Sequence, residues 1–128
     1  MKKEETLRGL GSFAAVLETG ERIEGELLRC FFRLERRAGT RVRAGFSISS
    51  TRTRSAVKRN RVKRLMRAAF DAEGGRLRSS VVDGSLAIVF VFKGRKGTAV
   101  ERLGLGPVQS DMASLCRRCA ATLPTVTS

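Results

Sequence analysis

The 128-residue sequence contains no histidine, no tryptophan and no tyrosine. Without histidine, the chain lacks the side chain that most often serves as general acid, general base or metal ligand. The acidic pair Glu24 and Glu26 has no neighbouring nucleophile and is best explained by solubility. The glycines form neither a GxGxxG nor a GxxxxGK[ST] phosphate-binding loop. These absences argue against catalysis by the protein's own side chains.

Cysteine is scarce as well. Cys30, Cys116 and Cys119 are an odd number of thiols, so a complete disulfide framework is excluded. Cys116 and Cys119 form a CxxC pair, but the chain has no second pair and no histidine to complete a tetrahedral zinc site. The pair lies in a segment with helical spacing, and Cys30 lies in an apolar strand candidate. We therefore expect packing thiols or partly exposed thiols rather than redox or metal-binding groups.

Long hydrophobic runs are also absent. No apolar run reaches the roughly 20 residues that span a bilayer, and the first residues, MKKEETLRGLGSF, lack the apolar core of a signal peptide. We therefore expect a cytoplasmic protein. The hydrophobic content of 41% suits one globular domain over residues 1–128, with residues 7–123 as its ordered part.

Acidic residues are missing from one long segment. Residues 36–70 hold 12 of the 26 basic residues and none of the 12 acidic ones, so this segment carries +12 and the rest of the chain +2. A solvated helix face usually mixes signs, because Glu and Lys four residues apart support the helix. The unmixed charge favours a polyanionic partner, and nucleic acid fits better than a membrane because the apolar stripe is short and core-like.

The helix predicted over Ser55–Phe70 carries much of this charge. On a projection of about 100° per residue, its apolar stripe contains Val62, Leu65, Met66, Ala69 and Phe70. The opposite side contains Asn60, Arg61, Lys63, Arg64 and Arg67. We predict that one side packs on a core and the other binds a polyanion.

The remaining pattern predicts an α+β fold with the element order αβββαβα. The continuous apolar run Leu86–Phe92 is typical of a central strand covered on both faces. The basic helix is the crossover into this fourth strand. The other predicted elements are a helix over Thr6–Thr19 with Ser12 as N-cap and Gly20 as its end, a long strand over Ile23–Glu35, a strand over Val42–Ser49 paired with it as a hairpin, a loop over Asp71–Gly84, and a last helix from Pro107 or Ser110 to Thr122.

The strand over Val42–Ser49 has an outer face of small, polar and basic residues. Such a face admits an extended strand of nucleic acid, although a merely solvated face has the same composition. With no tryptophan or tyrosine, stacking on bases would fall to phenylalanine. Phe13 and one of Phe31 and Phe32 are the candidate rings, although core packing is the commoner use of such residues.

The segments RAGFSISS and AVKRNRVKRLMRAAF together resemble the protein subunit of bacterial ribonuclease P, whose pattern is RxGxSVSKK followed by RNRxKRxxRExFR. Phe13, Val16 and Gly20 match that family's F-x-x-V-x-x-x-G first helix, and residues 87–92 resemble its DIVVIAR-type strand. The resemblance covers about residues 7–120. Ser50 and Thr51 stand where the family has Lys-Lys.

This resemblance implies a two-layer α/β sandwich like a ribosomal-protein domain, with a left-handed βαβ crossover that carries the RNR helix. It implies an RNA-binding subunit of an endonuclease that removes the 5′ leader from precursor tRNA. Hydrolysis would belong to the catalytic RNA with Mg²⁺, so the protein would contribute no catalytic residue, metal site or cofactor. The implied contacts with the RNA subunit are Arg52, Arg54, Lys58, Arg59, Asn60, Arg61, Lys63, Arg64 and Arg67. The implied leader-binding cleft contains Phe13, Val16, Phe32, Arg43, Ser47 and Ser49.

Other functions remain open. A ribosomal or other structured-RNA-binding protein shares the charge pattern but not the succession of F-x-x-V, RxGxS and RNR. A DNA-binding regulator could insert the basic helix into a major groove, but the chain lacks a paired-helix turn and a Gln or second Asn near Asn60 to identify bases. We therefore expect neither a membrane nor specific duplex DNA as partner.

Overall fold

The computed structural model describes residues 10–35, 40–48, 55–81, 84–94 and 103–123. These residues form helices and strands in an α+β fold, which confirms the predicted class. None of the helices within these ranges is long and apolar enough to cross a bilayer. The elements are α1 (Leu10–Thr19), β1 (Glu21–Glu24), β2 (Leu28–Glu35), β3 (Thr40–Ile48), α2 (Ala56–Glu73), α3 (Gly75–Ser80), β4 (Gly84–Phe92) and α4 (Leu105–Thr122).

The four described strands form one sheet in the order β1-β2-β4-β3. β4 pairs antiparallel with β2 and parallel with β3. Its central position, predicted from the apolar run, is confirmed. The predicted hairpin between the 23–35 segment and β3 is wrong, because β4 lies between β2 and β3. A strand that is apolar on both faces gains most from this central place, where both faces are covered.

The segment predicted as one strand over residues 23–35 is divided. β1 and β2 pair antiparallel around a turn at residues 25–27, and the Gly25 amide donates to the Leu28 carbonyl at 2.8 Å. A Cβ at Gly25 would lie 2.5 Å from Oδ2 of Asp111, so only glycine fits there. The division supplies the three strands that the predicted order places before the basic helix.

The helical crossover between β3 and β4 is longer than predicted. The expected loop over residues 71–84 is wrong in its first part, because α2 continues to Glu73 and α3 follows directly. Leu77 and Val81 are buried and hold this region in the core. The observed order is therefore αβββααβα, and the left-handedness of the crossover stays a prediction.

The main core lies between the sheet and a layer formed by α2, α3 and α4. Alternate residues of β2, β3 and β4 face this layer. Rings of Phe46, Phe70 and Phe90 meet there with centroids 5.5 to 6.1 Å apart. The predicted apolar stripe of α2 is confirmed, since four of its residues are buried and Leu65 packs partly buried against the core.

α1 packs on the opposite face of the sheet, where Val16 meets Ala87 and Val89. The helix ends at Thr19, before Gly20, as predicted. Ser12 lies inside the helix, so its predicted N-cap role is wrong. A Cβ at Gly20 would lie 2.4 Å from the Val16 carbonyl oxygen and 2.8 Å from that of Phe32, so this glycine lets the helix end approach β2. The start predicted at Thr6, and the single domain over 1–128, extend beyond the described residues and stay predictions.

Candidate nucleic-acid interface

α2 presents its polar residues at the surface of the helix layer. Ser55 caps the helix, since its Oγ accepts from the Lys58 amide at 3.3 Å. The seven predicted RNA-contact residues that are described all lie on α2. Asn60, Arg64 and Arg67 are exposed, and Lys58, Arg59, Arg61 and Lys63 are half-exposed. Arg52 and Arg54, also predicted to contact RNA, lie outside the described residues.

Two arginines of α2 also contact other elements. Nη2 of Arg61 donates to the Leu103 carbonyl at 2.5 Å, which joins α2 to the segment before α4. The Arg67 guanidinium lies 5.9 Å from the centroid of the Phe46 ring, within range of a cation–π interaction. These two side chains therefore have a structural role in addition to their charge. Arg64 is exposed on the same helix.

The α1 face of the sheet contains the described part of the predicted leader cleft. Arg43 and Ser47 of β3 are half-exposed on either side of Gly45. Val16 is only 1% exposed, because it packs on β4. It holds α1 against the sheet and presents no surface to a ligand. Ser49 and the side chain of Phe13 lie outside the described part of the chain.

The structure corrects the choice of Phe32 for this cleft. Phe32 is 5% exposed and belongs to the core beneath the helix layer, on the other side of the sheet. Phe31 lies on the α1 face, half-buried, in register with Val89 of β4. The sequence could not decide between two adjacent apolar rings, because each satisfies one of the two alternating faces of the strand.

A cluster of charged side chains lies at the β1 edge of the α1 face, and the sequence analysis missed it. Glu24 accepts hydrogen bonds from Nζ of Lys93 at 2.6 Å and from Nε of Arg29, and it lies 3.4 Å from Nε of Arg22. The hydrogen bond from Lys93 is the main reason that the pKa of Glu24 is lowered. We call Arg22, Glu24, Arg29 and Lys93 the Glu24 cluster. Arg22 and Arg29 are near Glu24 in sequence, but Lys93 is 69 residues away, so local pattern gives no signal of the complete cluster.

The three cysteines are free and buried. Burial raises the pKa of Cys30 and of Cys116 to about 12, and raises the pKa of Cys119 as well. The expectation of packing thiols is confirmed. Among the described residues, no three or more His, Cys, Asp or Glu side chains are placed to hold a metal ion.

Comparison with known proteins identifies similar chains. The family model described as Ribonuclease P matches residues 1–119. The ribonuclease P protein component of Shouchella clausii (strain KSM-K16) is 38% identical over 78 residues, and the match spans 61% of this chain and 62% of that protein. The solved RNase P protein of Thermotoga maritima superposes with a TM-score of 0.69 at 23% identity, over 89% of this chain and 96% of that one. The RNase P protein of Staphylococcus aureus gives 0.68 at 15% identity, over 91% and 96%. These two structures share the fold of this chain.

Proposed function

The chain belongs to the ribonuclease P protein family, and we propose that it is the RNA-binding subunit of a ribonuclease P holoenzyme. This endoribonuclease would remove the 5′ leader from precursor tRNA. The observation that carries the proposal is the placement of the RNR block, Arg59 to Arg61, at the surface of α2, above an apolar stripe packed in the core. The match to the curated relative covers less than two thirds of that protein, so activity and partners are proposed here on the site itself.

The basic residues of α2 would bind the catalytic RNA subunit. Arginine guanidinium groups make bidentate contacts with phosphates and stack on unpaired bases, and both modes suit a folded RNA. Arg64 and Asn60 are exposed at the centre of this surface. Neutralising the charge of residues 36–70 would remove their mutual repulsion, which supports a phosphate backbone as partner.

The leader of the precursor tRNA would lie on the α1 face of the sheet. A single-stranded RNA needs a positive groove with rings for stacking and little base preference. Arg43 supplies charge and Ser47 a hydroxyl, and both side chains are half-exposed. In this proposal Phe31 replaces Phe32 as the ring that faces the leader.

Hydrolysis would belong to the RNA subunit with Mg²⁺. In this proposal the protein holds no metal ion of its own for the reaction. The protein would raise substrate affinity and offset the repulsion between two RNAs. The cytoplasmic location stays a prediction.

The test is cleavage of a 5′-extended precursor tRNA at low Mg²⁺ by the cognate RNA subunit, with and without the protein. We expect the wild type to restore cleavage and an Arg59/Arg61/Arg64→Ala variant to lose at least about tenfold in the rate at limiting RNA, because phosphate contacts dominate such affinities. Arg117→Ala, an exposed arginine of α4, is the matched control. Thermal melting of each variant shows whether loss of the Arg61 hydrogen bond to Leu103 has lowered stability, so that a folding defect is not mistaken for lost RNA binding.

Two other results would favour a different function for the chain. If the wild type adds nothing to cleavage but binds structured RNA tightly, it serves another RNA target, as a ribosomal protein does. If duplex DNA of the same length competes as well as RNA, the DNA-binding alternative gains instead.

A further inference from the structure

The Glu24 cluster contains more positive charge than its carboxylate neutralises. Three cations share one carboxylate, so the cluster carries a net +2. The side chains are 30% to 58% exposed, so solvent and ligands reach them. Both carboxylate oxygens are engaged, with Oε1 facing the two arginines and Oε2 facing Lys93. Arginine has five N–H donors and lysine three, so donors remain for an anion.

The backbone beneath this cluster is fixed by a buried carboxylate. Asp111 of α4 accepts from the amides of Glu26, Leu27 and Leu28 at 2.8 to 3.0 Å. The amide of Lys93 donates to the Leu27 carbonyl at 2.9 Å, which ties the end of β4 to the same turn. Nη1 of Arg118 donates to the Glu24 carbonyl at 2.8 Å. The strand ends that carry the cluster are therefore held before any ligand arrives.

The cluster is continuous with the surface proposed for the leader. Glu24 pairs with Arg29 across β1 and β2, and Arg29 pairs with Val91 of β4. Val91 pairs in turn with Ser47 of β3. With strands about 4.8 Å apart, this row spans about 14 Å from β1 to β3. Along this row Glu24 and Arg29 are charged, Val91 is apolar and half-buried, and Ser47 is polar.

We propose that the Glu24 cluster is a second phosphate-binding subsite for the single-stranded RNA that crosses the α1 face. Arg22, Arg29 and Lys93 contact a backbone phosphate there, whereas Glu24 is their counter-ion in the free protein and contributes no contact to the phosphate. The inference rests on the proposed function, because it extends the leader surface from β3 to the β1 edge. The subsite contacts only the backbone, so it adds affinity without base preference.

The experiment measures binding of precursor tRNAs by the reconstituted holoenzyme, so that α2 is occupied by the RNA subunit. Leaders of about 2, 6 and 12 nucleotides bracket the lengths that one small domain accommodates. We expect Arg29→Met/Lys93→Met to leave the shortest leader unaffected and to weaken binding of the longest on the order of tenfold. The salt slope for the longest leader falls by about one, as expected for one to two lost contacts with single-stranded phosphates.

Glu24→Gln is the matched control. It breaks the same ion pairs but keeps all three cations, so binding of the longest leader stays at or above the wild-type value. If Glu24→Gln loses as much as the double variant, the cluster acts through the fold and the subsite is refuted. Melting curves show whether each variant is folded at the assay temperature.

The variant Arg43→Met distinguishes failure of the β1-edge subsite from failure of the proposed leader binding on the α1 face. One outcome refutes only the β1-edge subsite. In that outcome the affinity of the wild type rises with leader length, Arg43→Met reduces this rise, and Arg29→Met/Lys93→Met does not. If the wild-type holoenzyme shows no dependence on leader length, leader binding on the α1 face fails and the subsite fails with it.

Discussion

At the scale of single residues, Asp111 connects α4 to the other end of the chain. Its carboxylate is buried and accepts three backbone amides from residues 26–28. Hydrogen bonds to a charged acceptor stabilise more than neutral ones, and a buried amide left without a partner costs about 1 to 3 kcal/mol. The turn between β1 and β2 therefore depends on one side chain more than 80 residues away.

We predict that Asp111→Ala lowers the free energy of unfolding by about 2 to 4 kcal/mol, because three amides lose their acceptor. Asp111→Asn keeps one oxygen and should lose less. Urea denaturation of the three proteins measures the difference. Equal stability of wild type and Asp111→Ala would show that water satisfies these amides in place of the carboxylate.

Glu24 gives a pH dependence with a defined sign. The hydrogen bond from Lys93 lowers its pKa in the folded state below the ordinary value of 4.5. Its contribution to stability is therefore complete above pH 4.5 and is lost as the pH falls through the lowered folded value. We expect Glu24→Gln to be less stable than the wild type at pH 7, with the difference shrinking below pH 4.5. Thermal melting across this range tests it, and a constant difference at every pH would contradict the assignment.

At the scale of elements, the attachment of α1 depends on a close approach. Gly20→Ala places a Cβ against two backbone carbonyl oxygens, neither of which can move alone. We predict a loss of about 2 to 3 kcal/mol in the free energy of unfolding, or detachment of α1 with weaker leader binding. In the control Gly75→Ala, at the start of α3, a Cβ meets nothing within 4 Å, so the free energy of unfolding should stay the same or rise by up to about 1 kcal/mol. Chemical denaturation of both variants compares them directly.

The basic face of α2 contains arginines of two kinds. Arg64 is exposed, whereas Arg61 also donates to the Leu103 carbonyl. We expect Arg64→Met to weaken binding of the RNA subunit by about threefold to tenfold without a change in melting temperature. Arg61→Met should weaken binding and also lower the melting temperature. If Arg64→Met binds the RNA subunit like the wild type, the RNA contact lies elsewhere on the molecule.

Elements with a strong local signal could be predicted from the sequence. α2 has an apolar stripe and a capping serine, and β4 has a continuous apolar run. These local patterns are sufficient to predict a helix and a central strand. The pairing of β2 with β4 could not be predicted, because neighbours in sequence suggest a hairpin and only the whole sheet decides otherwise. The break between β1 and β2 depends on Asp111, and α3 depends on burial of Leu77; both are tertiary effects.

The candidate site divides in the same way. The RNR block is a local pattern, and the structure places it at the surface as expected. Phe32 was misplaced because adjacent apolar residues leave the phase of a strand undetermined. The Glu24 cluster joins residues from β1, β2 and the end of β4, which no sequence window contains.

At the scale of the whole molecule, the net charge of +14 governs association. If six to eight phosphates are neutralised, log K for RNA should fall by about 4 to 6 per tenfold rise in salt. Filter binding between low and physiological salt measures this slope. A slope near −1 would show that the charged faces of α2 and of the sheet do not contact the phosphate backbone.

The central position of β4 in the sheet determines when the sheet can form during synthesis of the chain. β2 and β3 do not pair with each other, and the strand between them comes from residues 84–92. As the chain leaves the ribosome, the segment with +12 charge emerges while its sheet is still incomplete. Asp111, which fixes the β1–β2 turn, is translated later still. The sheet therefore cannot be completed until the C-terminal part of the chain has been synthesised. A nascent chain stopped before β4 exposes an unpacked cationic helix to any RNA nearby.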